Sequence, residues 1–292
     1  MKKKYYLFVI IGATLWGIIS IFVKDLYSMG LNTMQIVALR ATSATGILII
    51  YTYIKDKKLL KIRVKDIYYF IGTGLFSIVF FSWCYFFTMK EVSVSVAVIL
   101  LYTAPAIVTI ISRFAFEELF TTSKIISLIL TFIGLLLVTG YLNGPQDSIS
   151  SLGLLTGLGS GLGYALYSIF GKYALRKYHV LTVTTYTFIV ASVFLLPMLF
   201  TIEYGSLTKI TYFWLQVINL GLFPTALGYI FYTSGLVNLE SSRASITATI
   251  EPLVGTLIGL IVFHEVILFL QWIGILMILC SIFIVQMEKN IK

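Results

Sequence analysis

Glu251 and Arg40 are ionisable side chains set inside long apolar runs. A charge there costs at least about 2.5–3.5 kcal/mol on insertion scales, so such residues usually face a cavity or a partner. Glu251 lies near the middle of its run, beside Pro252; Arg40 lies nearer the start of another. A carboxylate so placed can titrate a proton or hold a cationic group, and an arginine can pair with it or clamp a substrate carboxylate. Two structural readings stand beside these. The pair can be an internal ion pair, or Glu251 can be protonated and hydrogen-bonded to backbone freed by Pro252.

Pro105 and Pro252 interrupt apolar runs 147 residues apart, and the surrounding sequence repeats at that offset. Residues 81–118 match 228–265 at Tyr85/Tyr232, Ser95/Ser242, Ala97/Ala244, Thr109/Thr256, Phe116/Phe263 and Glu118/Glu265. A second echo pairs Ser20–Lys24 with Ser168–Lys172. A helix-interior proline removes an amide donor and clashes with the preceding turn, so kinks are expected at corresponding depths. In a membrane chain, interrupted segments in corresponding positions of two copies point to a transport site between them. Pro224 interrupts a third segment, which also carries Asn219.

Aromatic residues cluster in the same runs: Trp16, Trp83, Tyr85, Tyr102, Tyr164, Tyr167, Tyr229 and Tyr232. Tyr164/Tyr167 and Tyr229/Tyr232 are three apart, so each pair shares a helical face. A buried phenol requires a hydrogen-bond partner, and such faces can hold an amine by cation–π attraction. For any single ring, plain packing is the competing reading. Trp214 and Trp272 fall towards segment ends, where an interfacial belt belongs.

The elements that must carry these residues follow from composition. Hydrophobic residues make up 59% and charged residues 11%, far below the roughly 25% charged residues of a soluble domain. Ten segments are long enough to span a bilayer: 5–23, 34–54, 67–88, 93–112, 122–142, 152–171, 180–202, 212–237, 241–262 and 266–286. Their continuous rather than alternating character predicts helices, each satisfying its own backbone. Of the 21 Lys and Arg, all but Lys24, Lys90, Lys209 and Arg40 fall on the side carrying both termini. That side is therefore expected to be cytoplasmic, and the net charge of +9 needs no nucleic-acid partner. Five segments per copy is an odd number, so the second copy enters from the opposite face.

The expectation is an all-α integral membrane protein of ten transmembrane helices, built as two five-helix inverted-topology repeats. Residues 1–142 form the first repeat, 143–151 an outer loop including Asn143–Ser148, and 152–292 the second. The Lys2–Lys4 run precedes an uncleaved first helix. Cys84 and Cys280 lack CxxC spacing and read as core thiols. Gly153, Gly157 and Gly161 step at four-residue intervals, as do Gly255 and Gly259, a pattern for close helix approach.

Catalytic and metal motifs are missing from the sequence. His264-Glu265 begins like a zinc-protease helix, but Leu268 stands where its second histidine belongs. No phosphate-cradling loop precedes a Gly-Lys-Ser/Thr, so this chain is not expected to use ATP or any cofactor.

The stretches Leu15-Trp16-Gly17 to Lys24, Leu101-Tyr102-Thr103-Ala104-Pro105 to Glu118, and Ile250-Glu251-Pro252 to Glu265 followed by Gly274 resemble the EamA family of the drug/metabolite transporter superfamily over essentially the full length. The resemblance implies a multi-pass carrier of a prokaryotic cytoplasmic membrane that exports small metabolites, such as amino acids or related amines and carboxylates. By that resemblance, helices one, three, four, six, eight and nine line a central cavity, and helices five and ten are peripheral and concerned with contacts between two copies. The mates of Glu251 and Arg40 are Ala104 and Phe188 (or Thr187), so the cavity is expected to be chemically asymmetric. Alternating access is the leading expectation, with proton coupling through Glu251 subsidiary to it and facilitated diffusion open beside it. A quaternary or aromatic cation as cargo, taken up like choline or expelled like a drug, is the runner-up, followed by a passive channel.

Overall fold

The computed structural model describes residues 3–141, 150–205, 211–264 and 266–287. Among them no strand occurs. The first five long helices are α1 (Lys3–Ser28), α2 (Thr33–Leu60), α3 (Val64–Glu91), α4 (Val94–Ala115) and α5 (Thr122–Val138). The second five are α6 (Ser151–Leu175), α7 (Val180–Leu199), α8 (Thr211–Leu236), α9 (Ser241–Phe263) and α10 (Phe269–Met287). All but α5 reach 18 residues, and α5 has 17, at the lower limit for crossing a bilayer of ordinary thickness. Several helices outrun their apolar segments, as α3 does at both ends.

The packing pattern maps onto itself when each helix is exchanged for the one five places on. α1 packs on α8 as α6 packs on α3, α4 on α6 as α9 on α1, and α2 on α8 as α7 on α3. The pairs α2–α7, α4–α9 and α5–α10 each join a helix to its own counterpart. That reciprocity is the signature of two like units related by a two-fold axis, and an odd span count inverts them. The Tyr6 hydroxyl donates to the Val285 carbonyl at 3.3 Å, so the two described ends of the chain share one face, called here the terminal face.

Local irregularities repeat as well. α3 widens to i→i+5 turns over Gly72–Val79, and α8 does so over Gly221–Leu227; such π-turns are rare and collect at functional sites. Pro224 sits in the second of them, where the wider turn accommodates its missing N–H. α4 and α9 close on left-handed residues at matched positions, Glu117 (φ 58°) and His264 (φ 55°).

The expected proline kinks take a different form. α4 breaks at Tyr102-Thr103 and α9 at Ala248-Thr249, and a new helix begins after each break. Pro105 and Pro252 therefore stand in a first helical turn, where the amide would have no intrahelical partner anyway. The bend comes from the break, and the prolines punctuate it. Thr103 Oγ1 donates to the Leu100 carbonyl (2.7 Å) and Thr249 Oγ1 to the Ile246 carbonyl (2.6 Å), each joining the backbone N–H of its own residue on the same acceptor. These threonines are 146 apart, whereas the prolines are 147 apart. α9 thus holds one extra residue between break and proline.

One further expectation is corrected. Cys280 is exposed on α10, whereas Cys84 is buried. Asn143–Ser148 and Glu265 lie outside the described residues.

Candidate functional site

Glu251 stands in the first turn after the α9 break. Its Oε2 accepts the Tyr164 hydroxyl of α6 at 2.9 Å, and the Tyr102 hydroxyl, from the α4 break, lies beside the same carboxyl. Both interrupted helices, one from each repeat, therefore meet at one carboxylate. α1 comes close beneath it: a Cβ on Gly17 would lie 2.8 Å from the Glu251 carbonyl oxygen, so only glycine fits that approach.

Around this point the rings interlock. Trp16 lies 6.0 Å from Tyr164, 4.9 Å from Tyr229 and 4.9 Å from Tyr232, centroid to centroid. Phe81 stacks on Tyr85 at 5.8 Å and meets Tyr164 edge-on at 5.8 Å. The phenols find partners: Tyr167 with Thr233 Oγ1 (2.7 Å) and Tyr232 with Ser168 Oγ (2.6 Å). The enclosed space among Trp16, Ser77, Phe81, Tyr167 and Tyr229 is about 10 Å³, room for about one water. The rings are packed on one another, and a metabolite fits only if they part. The buried Trp16 Nε1 has no acceptor among the described residues.

Arg40 does not pair directly with Glu251. Its Nε donates to Thr225 Oγ1 at 2.9 Å, and its guanidinium lies 5.9 Å from the Tyr229 ring centroid. Thr225 in turn donates to the Leu220 carbonyl at 2.7 Å inside the widened turn of α8. Tyr229 thus stands between the cation and the aromatic cluster.

Of the sequence candidates, Trp16, Tyr85, Tyr102, Tyr164, Tyr167, Tyr229 and Glu251 come together, with Pro105 and Pro252 close by in their half-helices. Trp83 does not: it is 51% exposed and stacks on Phe87 at 5.5 Å. It projects outward because it lies two residues from both Phe81 and Tyr85, across the helix from their inward face. Asn219 is half-buried on α8 and does not line the enclosed space. Phe81 and Thr225 were missed. Each is four residues before a chosen tyrosine, Tyr85 and Tyr229, and that i,i+4 spacing could have found them. Among the described residues no group of three or more His, Cys, Asp or Glu gathers to hold a metal.

On the terminal face the repeats are tied by charge. Glu118, just past α4, accepts the backbone N–H groups of Ser241 (2.6 Å) and Ser242 (3.1 Å) and the Ser242 hydroxyl. It thereby caps α9 from the other repeat, a favourable place for an anion. Lys124 of α5, 1% exposed, bridges Glu240 at 2.8 Å and Glu118 at 3.7 Å. Arg243 joins Glu240 at 2.8 Å and donates to the Val285 carbonyl at 3.2 Å.

The description "EamA-like transporter family" matches the chain twice, over residues 3–140 and 151–287. The chain belongs to the EamA-like transporter family. This EamA-like protein is similar to two chains of Archaeoglobus fulgidus described as uncharacterized transporters. One is 29% identical, covering 96% of this chain and 95% of its own, and the other 27% identical, covering 99% and 100%. A Salmonella typhimurium protein described as an uncharacterized inner membrane transporter is 26% identical over 99% of this chain and 97% of its own. A solved crystal structure superposes with a TM-score of 0.81 over 96% of this chain and 95% of that one, at 17% identity, a likeness of fold. The EamA-like protein is a multi-pass membrane transporter.

Proposed function

We propose that this transporter exports small metabolites carrying an ammonium group, amino acids or related amines, by alternating access of its two inverted repeats. The single observation behind the reading is the Glu251 carboxylate, held by Tyr164 where the interrupted α4 and α9 meet under aromatic rings. A carboxylate flanked by phenols and an indole suits an alkylammonium through charge and cation–π attraction. The unpartnered Trp16 Nε1 is a donor for a polar group of the cargo. The terminal face is cytoplasmic in this reading, because the Lys and Arg residues concentrate there.

In the cycle, the Glu118–Ser241 and Lys124–Glu240 ties are the cytoplasmic closure. They break when the repeats rock, the rings around Trp16 part, and cargo reaches Glu251. Protonation of Glu251 would release an ammonium, so the same group serves for proton coupling. Arg40, set off on Thr225, is available to a substrate carboxylate and is dispensable for a simple amine.

Counterflow in liposomes tests the reading. Saturable exchange of an amino acid or amine, abolished in Tyr102→Phe/Tyr164→Phe, is expected; no exchange across a broad metabolite panel sinks it. Glu251→Gln should lose proton-driven transport and weaken exchange by raising the substrate concentration it needs; unchanged proton drive removes Glu251 from coupling. The second reading, a quaternary or aromatic cation, is favoured by the ring cluster itself. It gains the lead if choline-like cations compete and amino acids do not.

A further inference from the structure

A second cavity, sharing no lining residue with the aromatic cluster, lies between α2, α7 and α8 and measures about 430 Å³. That is within the range of about 300–1,000 Å³ typical of small-molecule sites. Its floor is apolar, with Leu48, Leu181 and Ala226 all buried. Tyr51, 48% exposed, stands at its side, so it opens laterally towards lipid. Its polar lining residues are Ser234, whose hydroxyl is engaged with the Ile230 carbonyl at 2.7 Å, Lys55, at the terminal-face end of α2, and His179, which precedes α7.

Lys55 and His179 make their end an anion receptor. Lys55 is exposed and its ammonium lies 6.0 Å from the Tyr51 ring centroid. His179 Nδ1 accepts the Leu181 N–H at 3.2 Å, so the neutral ring carries its proton on Nε2 as a donor. Burial, and then the Lys55 charge, push the His179 pKa below its usual value, so the ring is neutral at pH 7. α7 begins at this point, and a helix N-terminus adds a partial positive charge. The nearby acidic group, Asp56, is engaged with the Lys58 N–H at 2.8 Å. The stretch from the end of α2 to the start of α3 carries Lys57, Lys58, Lys61, Arg63 and Lys65.

We propose that this cleft is a binding site for an anionic phospholipid of the leaflet at the terminal face, its phosphate held by Lys55 and His179 and an acyl chain laid along Leu48 and Ala226. Basic pockets between transmembrane helices at the cytoplasmic side are suited to acidic headgroups. The apolar depth selects a lipid over a free anion, and the basic end selects an acidic lipid over a neutral one. Lys55 belongs to the first repeat and His179 to the second, so one lipid would bridge both.

Native mass spectrometry of the purified full chain, delipidated and then titrated with phosphatidylglycerol, tests this independently of transport. Wild type is expected to retain phosphatidylglycerol in preference to a phosphatidylcholine of the same chains. Loss of one basic contact in Lys55→Gln should weaken retention about fivefold. Ile47→Trp, which fills the cleft from a half-buried position, should abolish it. His179→Asn, which keeps a capping acceptor for α7, should weaken it, and Lys61→Gln, on the same basic stretch, should not. Equal retention of phosphatidylcholine, displacement by inorganic phosphate, or wild-type retention by Lys55→Gln and Ile47→Trp would each overturn the proposal.

Discussion

The Tyr164 hydroxyl donates to Glu251 Oε2 at 2.9 Å, joining the first helix of the second repeat to the turn that follows the break in its fourth. Losing a hydrogen bond to a charged group costs about 1.5–3 kcal/mol. Tyr164→Phe is therefore expected to weaken apparent substrate affinity about tenfold or more in liposome flux. Tyr167→Phe loses only a neutral bond to Thr233 and should change affinity severalfold at most. Equal effects of the two would detach Tyr164 from the substrate.

Glu118 is 8% exposed and answers two backbone amides and a hydroxyl of α9. Its removal uncaps α9 and leaves Lys124 with Glu240 as its ion partner. Glu118→Ala should destabilise by about 1.5–3 kcal/mol, the range for hydrogen bonds to a charged group. The milder Glu118→Gln keeps one acceptor. It should raise the labelling rate of a cysteine introduced at Ser245 by a reagent added from the terminal face. Labelling no faster than in wild type would remove Glu118 from the closure.

Glu240 adds a pH dependence. Burial raises its pKa, but hydrogen bonds from Lys124 and Arg243 outweigh that and hold it below 4.5. Its contribution to stability is present above the unfolded value and is lost as pH falls through the lowered folded value. Thermal unfolding should show this in acid: Glu240→Gln should lie below wild type at pH 6 and converge with it as the pH falls through that lowered value. A gap that persists in acid would contradict the ion pair.

Gly161 marks a close approach of α6 to α4, where an added Cβ would press on Thr103 Oγ1 and lie 2.9 Å from the Leu100 carbonyl oxygen. Because that second contact is backbone, it cannot yield by a rotamer change. Gly161→Val should cost about 1–3 kcal/mol from overpacking, measured by thermal unfolding in detergent. Gly46, with open space around it, is the control site and should tolerate alanine.

Repeats, spans and the carboxylate were legible in the sequence, because duplication leaves paired residues and a charge in an apolar run cannot hide. Trp83 and Cys280 were misplaced for a physical reason. A lipid-facing surface is as apolar as a core, so hydrophobicity alone does not tell which face of a membrane helix is buried. The breaks at Thr103 and Thr249 were also out of reach. The sequence marks them by the prolines, but side-chain bonds to carbonyls within a turn decide where the backbone departs from helix. Arg40's attachment to Thr225 depends on the widened turn in α8, which has no periodicity signal of its own.

The earlier break in α9 has a consequence for symmetry. Twin halves that were identical would offer each compartment the same barrier. Here Glu251 has a counterpart, Ala104, that carries no charge, so the acid stands on one half alone. A molecule that reads almost the same from above and below is told apart by a single carboxyl group.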